Sequence, residues 1–435
     1  MRTHHQQEAP CKGGRPFPQV ESALAMDTAT RMFLLWLFVL IARPQDLSES
    51  LQSIRPALTL GIVTLILVLM RTTTLEFARA FSVAEARQYL RFYLVMLAGI
   101  PFAYHKRVAF EYIVLTYSMN ILFFVLFIVM VDSLKTLKAV LFVMCVGAAV
   151  YGVFGLTEGI ITSGRLGMQG SMFDPNDLAY VLVSLLPLSC YFVLRREGLV
   201  KRIVAMISLG ASVSVILFTA SRGGLIGMTS LIAMFILTNT GGIRWRYKIG
   251  LPLAVLGIGV LNSEKINLER FLTLSEIGGD YNVTDEYGRM EIWERGIRFA
   301  LENPITGVGV NCFAMAIGYL RAELHLIPMW QEAHNSYVQV AAEMGLLGLG
   351  LFMAIIVTCY KNFARFARPG NGDVLSPEMD ELTLIAWLLR MGFVASLISA
   401  FFLSQAYSIL FTAYFAFSAI LRRLEGEISK ESYAG

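Results

Sequence analysis

Three basic side chains stand out for where they lie. Arg222 is the only charged residue between Ile203 and Asn239, set in Thr219-Ala-Ser-Arg-Gly-Gly224. An ionisable group in so apolar a run is costly and usually faces a cavity or a partner. Its fork of N–H donors suits a phosphate or diphosphate, and backbone N–H groups opening the next helix would add to the hold. The two glycines are expected to form a tight break between two spans, with Ser221 beside the same ligand. The competing reading is a cation in a short outer turn, paired with a loop acid.

Arg289 and His334 are the other two. On a helix running to about Glu302, where Asn303-Pro304 stops it, Arg289 falls in register with Trp293 and Ile297. Met290, Trp293, Ile297, Ala300 and Leu301 would then share an inward face, leaving Arg295 and Arg298 on a solvated, acidic one. Thr284 or Asp285 would cap this helix. A salt bridge from Arg289 to Asp285 or Glu286 is the alternative to a ligand. His334, in Ala333-His-Asn-Ser-Tyr337, lies where a span begins. A neutral imidazole there can take a proton from an attacking hydroxyl, although a lone histidine more often serves as a cap or hydrogen-bond partner. Asn335 is its neighbour. Asp174-Pro175-Asn176-Asp177 has the form of an N-cap, a first-turn proline and a first-turn acid, with Asp174 and Asn176 also placed to touch a substrate. Glu343 and Arg390 would pair or line a cavity, and Gly345, Gly348 and Gly350 would form a close helix-packing face.

The elements that carry these residues follow from composition. The 435 residues are 56% hydrophobic and only 16% charged, with a mean hydropathy of +0.61. That excludes an ordinary soluble enzyme. Spans of roughly 20 apolar residues divide the chain into an N-terminal tail (1–26), nine transmembrane helices (27–263), a long polar loop with an amphipathic helix (264–335), three further helices (336–421) and a C-terminal tail (422–435). The expected fold is an all-α polytopic membrane protein of about twelve transmembrane helices. Lys and Arg concentrate in alternate loops, which puts both termini in the cytoplasm and the long loop outside. The first residues have no apolar h-region, so no cleaved signal peptide is expected. A net charge of +4 gives no argument for nucleic acid. The five cysteines show no ligand spacing, and neither metal nor cofactor is expected.

Three segments together carry a resemblance: Phe218 to Gly224; Gly288-Arg-Met-Glu-Ile-Trp293 running into Asn303-Pro-Ile-Thr-Gly-Val-Gly309; and Ala333-His-Asn-Ser-Tyr337 followed by Glu343-Met-Gly-Leu-Leu-Gly348. Their order around one long loop resembles the O-antigen ligase and polymerase superfamily of bacterial glycan-assembly enzymes. Phe173-Asp-Pro-Asn-Asp-Leu-Ala179 is also similar to the exosortase-associated O-glycosylation ligase branch. The resemblance implies a metal-independent glycosyltransferase of the C type in the bacterial inner membrane, acting at the periplasmic face. Its donor would be a glycan on undecaprenyl diphosphate, and its acceptor lipid A core, a protein or a growing glycan. The implied roles are diphosphate binding by Arg222 and Arg289 and acceptor activation by His334.

A polymerase would use the same donor chemistry on a lengthening chain. A solute transporter is a different class, and would favour interrupted helices and an inverted repeat at the membrane midplane. The unusual charges instead gather at one face.

Overall fold

The computed structural model describes residues 26–47, 49–168, 174–195, 197–238, 243–267, 270–271, 288–366 and 376–434. The chain is an all-α, multi-pass membrane protein. Its first half holds α1 (Thr28–Ala42), the short α2 (Glu49–Ile54), α3 (Pro56–Arg71), α4 (Thr74–Ala80), α5 (Ala84–Gly99) and α6 (Lys106–Met130), the last containing a π-helical stretch at Glu111–Tyr117. After α7 (Leu134–Glu158) comes a hairpin of β1 (Ile160–Thr162) and β2 (Arg165–Gly167), then α8 (Pro175–Leu194), α9 (Leu199–Phe218), α10 (Arg222–Leu237) and α11 (Trp245–Leu261). The long loop contributes α12 (Arg289–Glu302) and α13 (Phe313–Glu323), and the chain ends on α14 (Ser336–Phe366), α15 (Pro377–Ala400) and α16 (Ile409–Ala434).

The described apolar segments are predominantly helical. Among the described residues, six helices, α6 to α9, α14 and α15, are long and apolar enough to cross a membrane, and the α3–α4 pair, bent by 115°, would make a seventh if counted as one span. The full count of twelve is not reached by that measure. The reasons are local. The 15 residues of α1 and the 16 of α10 reach only about 23 Å at 1.5 Å per residue, short of a core of about 30 Å. α5 carries Glu85, Arg87 and Arg91. Three further differences from expectation are the small hairpin, the second loop helix α13, and the run of α16 beyond 421 to Ala434. The capping positions Thr284 and Asp285 lie outside the described residues.

Packing uses small polar groups as well as apolar ones, as lipid demands of helix contacts. α8 lies against α9 and α15, and α10 against α15. Ser396 Oγ donates to Ser184 Oγ at 2.8 Å, Tyr414 OH donates to the Ser184 carbonyl at 2.6 Å, and Ser189 and Ser208 share a bond of 2.8 Å. Around α1, α6 and α16 the core is aromatic: Phe33, Phe123, Phe127 and Phe417 form a chain of rings at 5.0 to 5.8 Å.

α14 is broken. Gly345 has φ 67 and ψ −172, and the turn after α12 fills the break. Val308 N donates to the Ala342 carbonyl at 2.8 Å, Gly309 N to the Glu343 carbonyl at 3.0 Å, and Leu346 N to the Pro304 carbonyl at 2.7 Å. The backbone groups freed by the break are thus satisfied by protein, a requirement at this depth. A Cβ on Gly307 would lie 2.3 Å from the Glu343 carbonyl carbon, and one on Gly345 2.5 Å from the Pro304 oxygen. This corrects the reading of Gly345, Gly348 and Gly350 as a helix-packing face: Gly345 is the break itself, and a Cβ on Gly350 would meet nothing within 4 Å. Glu343 Oε1 accepts from Phe313 N at 3.2 Å, tying the start of α13 to the same break.

Candidate functional site

The first residue of α10 is Arg222, with Ser221 as N-cap accepting from Gly224 N at 3.2 Å. The tight turn is not made by the glycines, as their type had suggested. It lies three residues before Gly223, where Ala220 takes φ 46. Gly223, Gly224 and Gly227 are inside the helix, and their missing side chains let α10 wedge between neighbours. An added Cβ would meet Phe402, Ala179 at 2.6 Å and Ser399 Oγ at 2.3 Å, respectively. Arg222 is half-buried at that wedge, while Ser221 is fully buried.

Arg289 is likewise the first residue of its helix, following Gly288 as N-cap, and is half-buried. A cation at a helix N-terminus opposes the macrodipole and costs about 0.3–1 kcal/mol. Two arginines occupy that otherwise unfavourable place. The face assignment of α12 needs correction. Ile292, Arg295, Gly296, Phe299 and Ala300 are buried, whereas Ile297 is 51% and Leu301 66% exposed. Gly296 sets this orientation: a Cβ there would approach Val338 of α14 to 2.5 Å. Arg295 is therefore not solvated, and its guanidinium bonds Glu291 one turn back at 2.9 and 3.0 Å. The carboxylates of Asp285 and Glu286 lie outside the described residues.

His334 is strained, with φ 46, a conformation uncommon for a non-glycine residue. Its N–H donates to Ser404 Oγ at 2.9 Å, and Trp293 Nε1 of α12 donates to the preceding Ala333 carbonyl at 3.0 Å. Asn335 is buried and acts as a cap, its Oδ1 accepting from Tyr337 N at 2.9 Å and Val338 N at 3.1 Å. Burial holds the His334 imidazole below its ordinary pKa; the Arg289 charge pushes the same way, and the Asp174 charge opposes both. The ring is thereby neutral near pH 7, with a cation and a carboxylate in its field.

Asp174 caps α8 as expected, Oδ1 accepting from Asn176 N at 2.8 Å and from Asn176 Nδ2 at 2.9 Å. The starts of α8, α10, α12 and α14 thus gather at one face. Two features that join them were not singled out from sequence. The connection after α15 supplies Ser404 to His334 and Phe402 beside Gly223, while Gln405 Nε2 donates to Asp177 Oδ1 at 2.8 Å. Arg165 of β2 reaches both α8 and the Thr219 turn. The signal was available: Arg165 is the only cation between Lys138 and Arg195, the pattern that drew attention to Arg222. Among the described residues, no group of three or more His, Cys, Asp or Glu side chains assembles that could hold a metal ion.

The chain matches the O-antigen ligase family over residues 203–353, a stretch that contains Arg222, Arg289, His334 and the broken part of α14. It is also 30% identical over 99 residues to the exopolysaccharide production protein ExoQ of Rhizobium meliloti (strain 1021), covering 20% of this chain and 21% of that protein. The match therefore spans about a fifth of the curated relative's length. Both matches point the same way: residues 203–353 are similar to the O-antigen ligase family, and a 99-residue stretch is similar to a protein of exopolysaccharide production.

Proposed function

We propose that the protein is a membrane glycosyltransferase that moves a glycan from undecaprenyl diphosphate to an acceptor hydroxyl at the periplasmic face, both termini being cytoplasmic. The observation that carries this reading is the gathering of two helix-opening arginines and a neutral, half-buried histidine at one face of the bundle. In the proposed step, the acceptor oxygen attacks the anomeric carbon and its proton passes to His334. The bond from that carbon to the diphosphate breaks, and the electron pair leaves with the diphosphate, whose added charge Arg222 and Arg289 hold. Attack opposite the leaving group inverts the anomeric centre. The arginines do the electrostatic work a divalent ion does elsewhere, so the scheme needs no metal. An apolar cleft of about 320 Å³ among α8, α9, α10 and α11, lined by residues such as Leu186, Val213, Phe235 and Val255, suits a donor with a hydrocarbon tail.

The acceptor divides two readings. Ligation to lipid A core or protein follows the family match, whereas the similarity to an exopolysaccharide production protein favours polymerisation on a growing glycan. The test is transfer by purified protein supplied with undecaprenyl-diphosphate glycan and either lipid A core or a second donor molecule. His334→Ala and Arg222→Ala are expected to lower transfer by about 10²–10³-fold while remaining folded. Full activity in both variants sinks the site assignment, and solute flux without glycan transfer sinks the class.

A further inference from the structure

The Arg222 turn is held from a distance. Arg165 Nε donates to the Thr219 carbonyl at 3.2 Å, and Arg165 Nη2 donates to Asn176 Oδ1 at 2.9 Å. Thr219 closes α9, two residues before the Ser221 cap of α10. Between them Ala220 occupies the left-handed region, which costs a non-glycine residue of order 1 kcal/mol or more and persists only where neighbours enforce it. The enforcement is visible: Thr219 Oγ1 donates to the Ile216 carbonyl at 2.7 Å, Ser221 N donates to Thr219 Oγ1 at 3.3 Å, and Arg165 grips the Thr219 carbonyl from outside. Asn176, the other acceptor, is bonded to Asp174, the carboxylate whose charge reaches His334.

One guanidinium therefore joins the turn that presents Arg222 to the helix start that faces His334. The hairpin carrying it is seated firmly. Ser163 and Gly164 both have positive φ in its two-residue turn, at 52 and 70, and Leu166 is buried. We propose that Arg165 is a positioning residue for the transfer reaction, setting the spacing between the diphosphate-holding arginine and the acceptor-activating histidine. This rests on the function proposed above. The two acceptors belong to different elements, and the side-on edge of a guanidinium holds its Nε and Nη2 donors at a fixed spacing that serves both, which a single ammonium does not reproduce. Arg165→Lys is therefore expected to behave more like Arg165→Ala than like the native protein.

The test compares full-length wild type, Arg165→Ala, Arg165→Lys and Asn176→Ala in the transfer assay over a range of donor concentration, with thermal unfolding measured alongside. A misplaced Arg222 turn is expected to lower kcat/KM for the donor by about tenfold to a hundredfold, mostly through a raised donor KM, with the unfolding midpoint little changed. The double variant Arg165→Ala/Asn176→Ala should be little worse than Arg165→Ala alone, because both substitutions break the same Arg165–Asn176 link. Native kinetics in Arg165→Ala, or losses that multiply in the double variant, overturn the proposal. A readout independent of activity covers the case in which Arg165→Ala folds poorly in the assay or the wild type shows no transfer. Nitroxides at Ser163→Cys and Thr229→Cys, in a Cys11→Ser background, report the distance from hairpin to α10. Arg165→Lys should broaden that distance distribution, and an unchanged distribution overturns the proposal even if the functional reading itself fails on the wild-type control.

Discussion

At the end of the bundle away from the long loop, Lys138 of α7 pairs with Glu197 and reaches Glu381 at 3.7 Å, Lys201 of α9 pairs with Glu197 at 3.0 Å, and Arg195 pairs with Asp380 and with Glu381 at 3.3 Å. The Tyr191 hydroxyl lies within hydrogen-bond reach of both Glu381 and Glu197 and shares its one proton between them. Cation meets carboxylate throughout this network, which fastens α7, α8, α9 and α15 together and leaves little net field. The loop end is built otherwise. Arg165 is held by a carbonyl and an amide oxygen, and Arg222 and Arg289 open helices whose dipoles they oppose. Its order comes from backbone geometry: the Ala220 turn, the His334 conformation and the break at Gly345. One end spends its charges on cohesion between helices, and the other sets two arginines at the starts of helices.

The largest effect expected from this contrast is on transfer at the loop end. Arg222→Gln should cost about 10²–10³-fold in kcat/KM, the scale of losing one preorganised donor to developing charge, with the unfolding midpoint nearly native. An equal loss of rate and of stability would mean that Arg222 is as structural as Arg195.

Next comes the backbone that orders the loop end. Gly307→Ala places a side chain at a positive φ of 62, with its Cβ against the broken backbone of α14. Strain and overpacking together should destabilise by about 2–4 kcal/mol and displace the turn beside Glu343. Gly350→Ala, with open space around it, should be neutral or slightly stabilising. Thermal unfolding in detergent compares the two, and equal midpoints would dissolve the argument that a fitted break orders this end.

A smaller effect belongs to the opposite end. Glu197 is 15% exposed and serves Lys138 and Lys201 at once. Its replacement by alanine should destabilise by about 2 kcal/mol, between the values for exposed and buried pairs, while the transfer rate at a permissive temperature stays native. A rate loss beyond tenfold in folded Glu197→Ala would erase the division of labour between the two ends.

Much of the architecture was legible in the sequence because lipid imposes one rule: apolar runs become helices. The positions of Arg222 and His334 beside helix starts were also legible, since a lone charge in an apolar run and a polar segment before a span are local signals; Arg289 was expected a turn inside a helix capped at Thr284 or Asp285 and is instead the first residue of α12. What escaped depended on distant contact. Nothing near Arg295 announces that Gly296 will press against Val338 and turn that face inward. Gly345 looks like packing until the Pro304–Gly309 turn is seen inside the helix. Ser404 and Gln405 sit at the end of an apolar run, and only the fold brings them to His334 and Asp177. Arg165 shared the signature of Arg222 and needed only the same question asked of it.

The smallest effect is also the most specific, because it has a sign at each of two residues. With the His334 pKa held below its ordinary value, the neutral base is present at neutral pH, and activity should fall on acidification as the ring gains its proton. Arg289→Gln removes a positive charge from the ring's surroundings. The protonated form then becomes easier to reach, the pKa rises, and the acid limb of the kcat/KM profile moves to higher pH. Asp174→Asn removes a carboxylate but keeps a residue that caps helices about as well, so the pKa falls further and the limb moves to lower pH. Opposite displacements, read from residual transfer across pH 4 to 8, would place His334 between these two charges as the proton acceptor. Displacements of the same sign, or a limb that neither variant moves, would assign the titration to another group and leave the histidine a structural role.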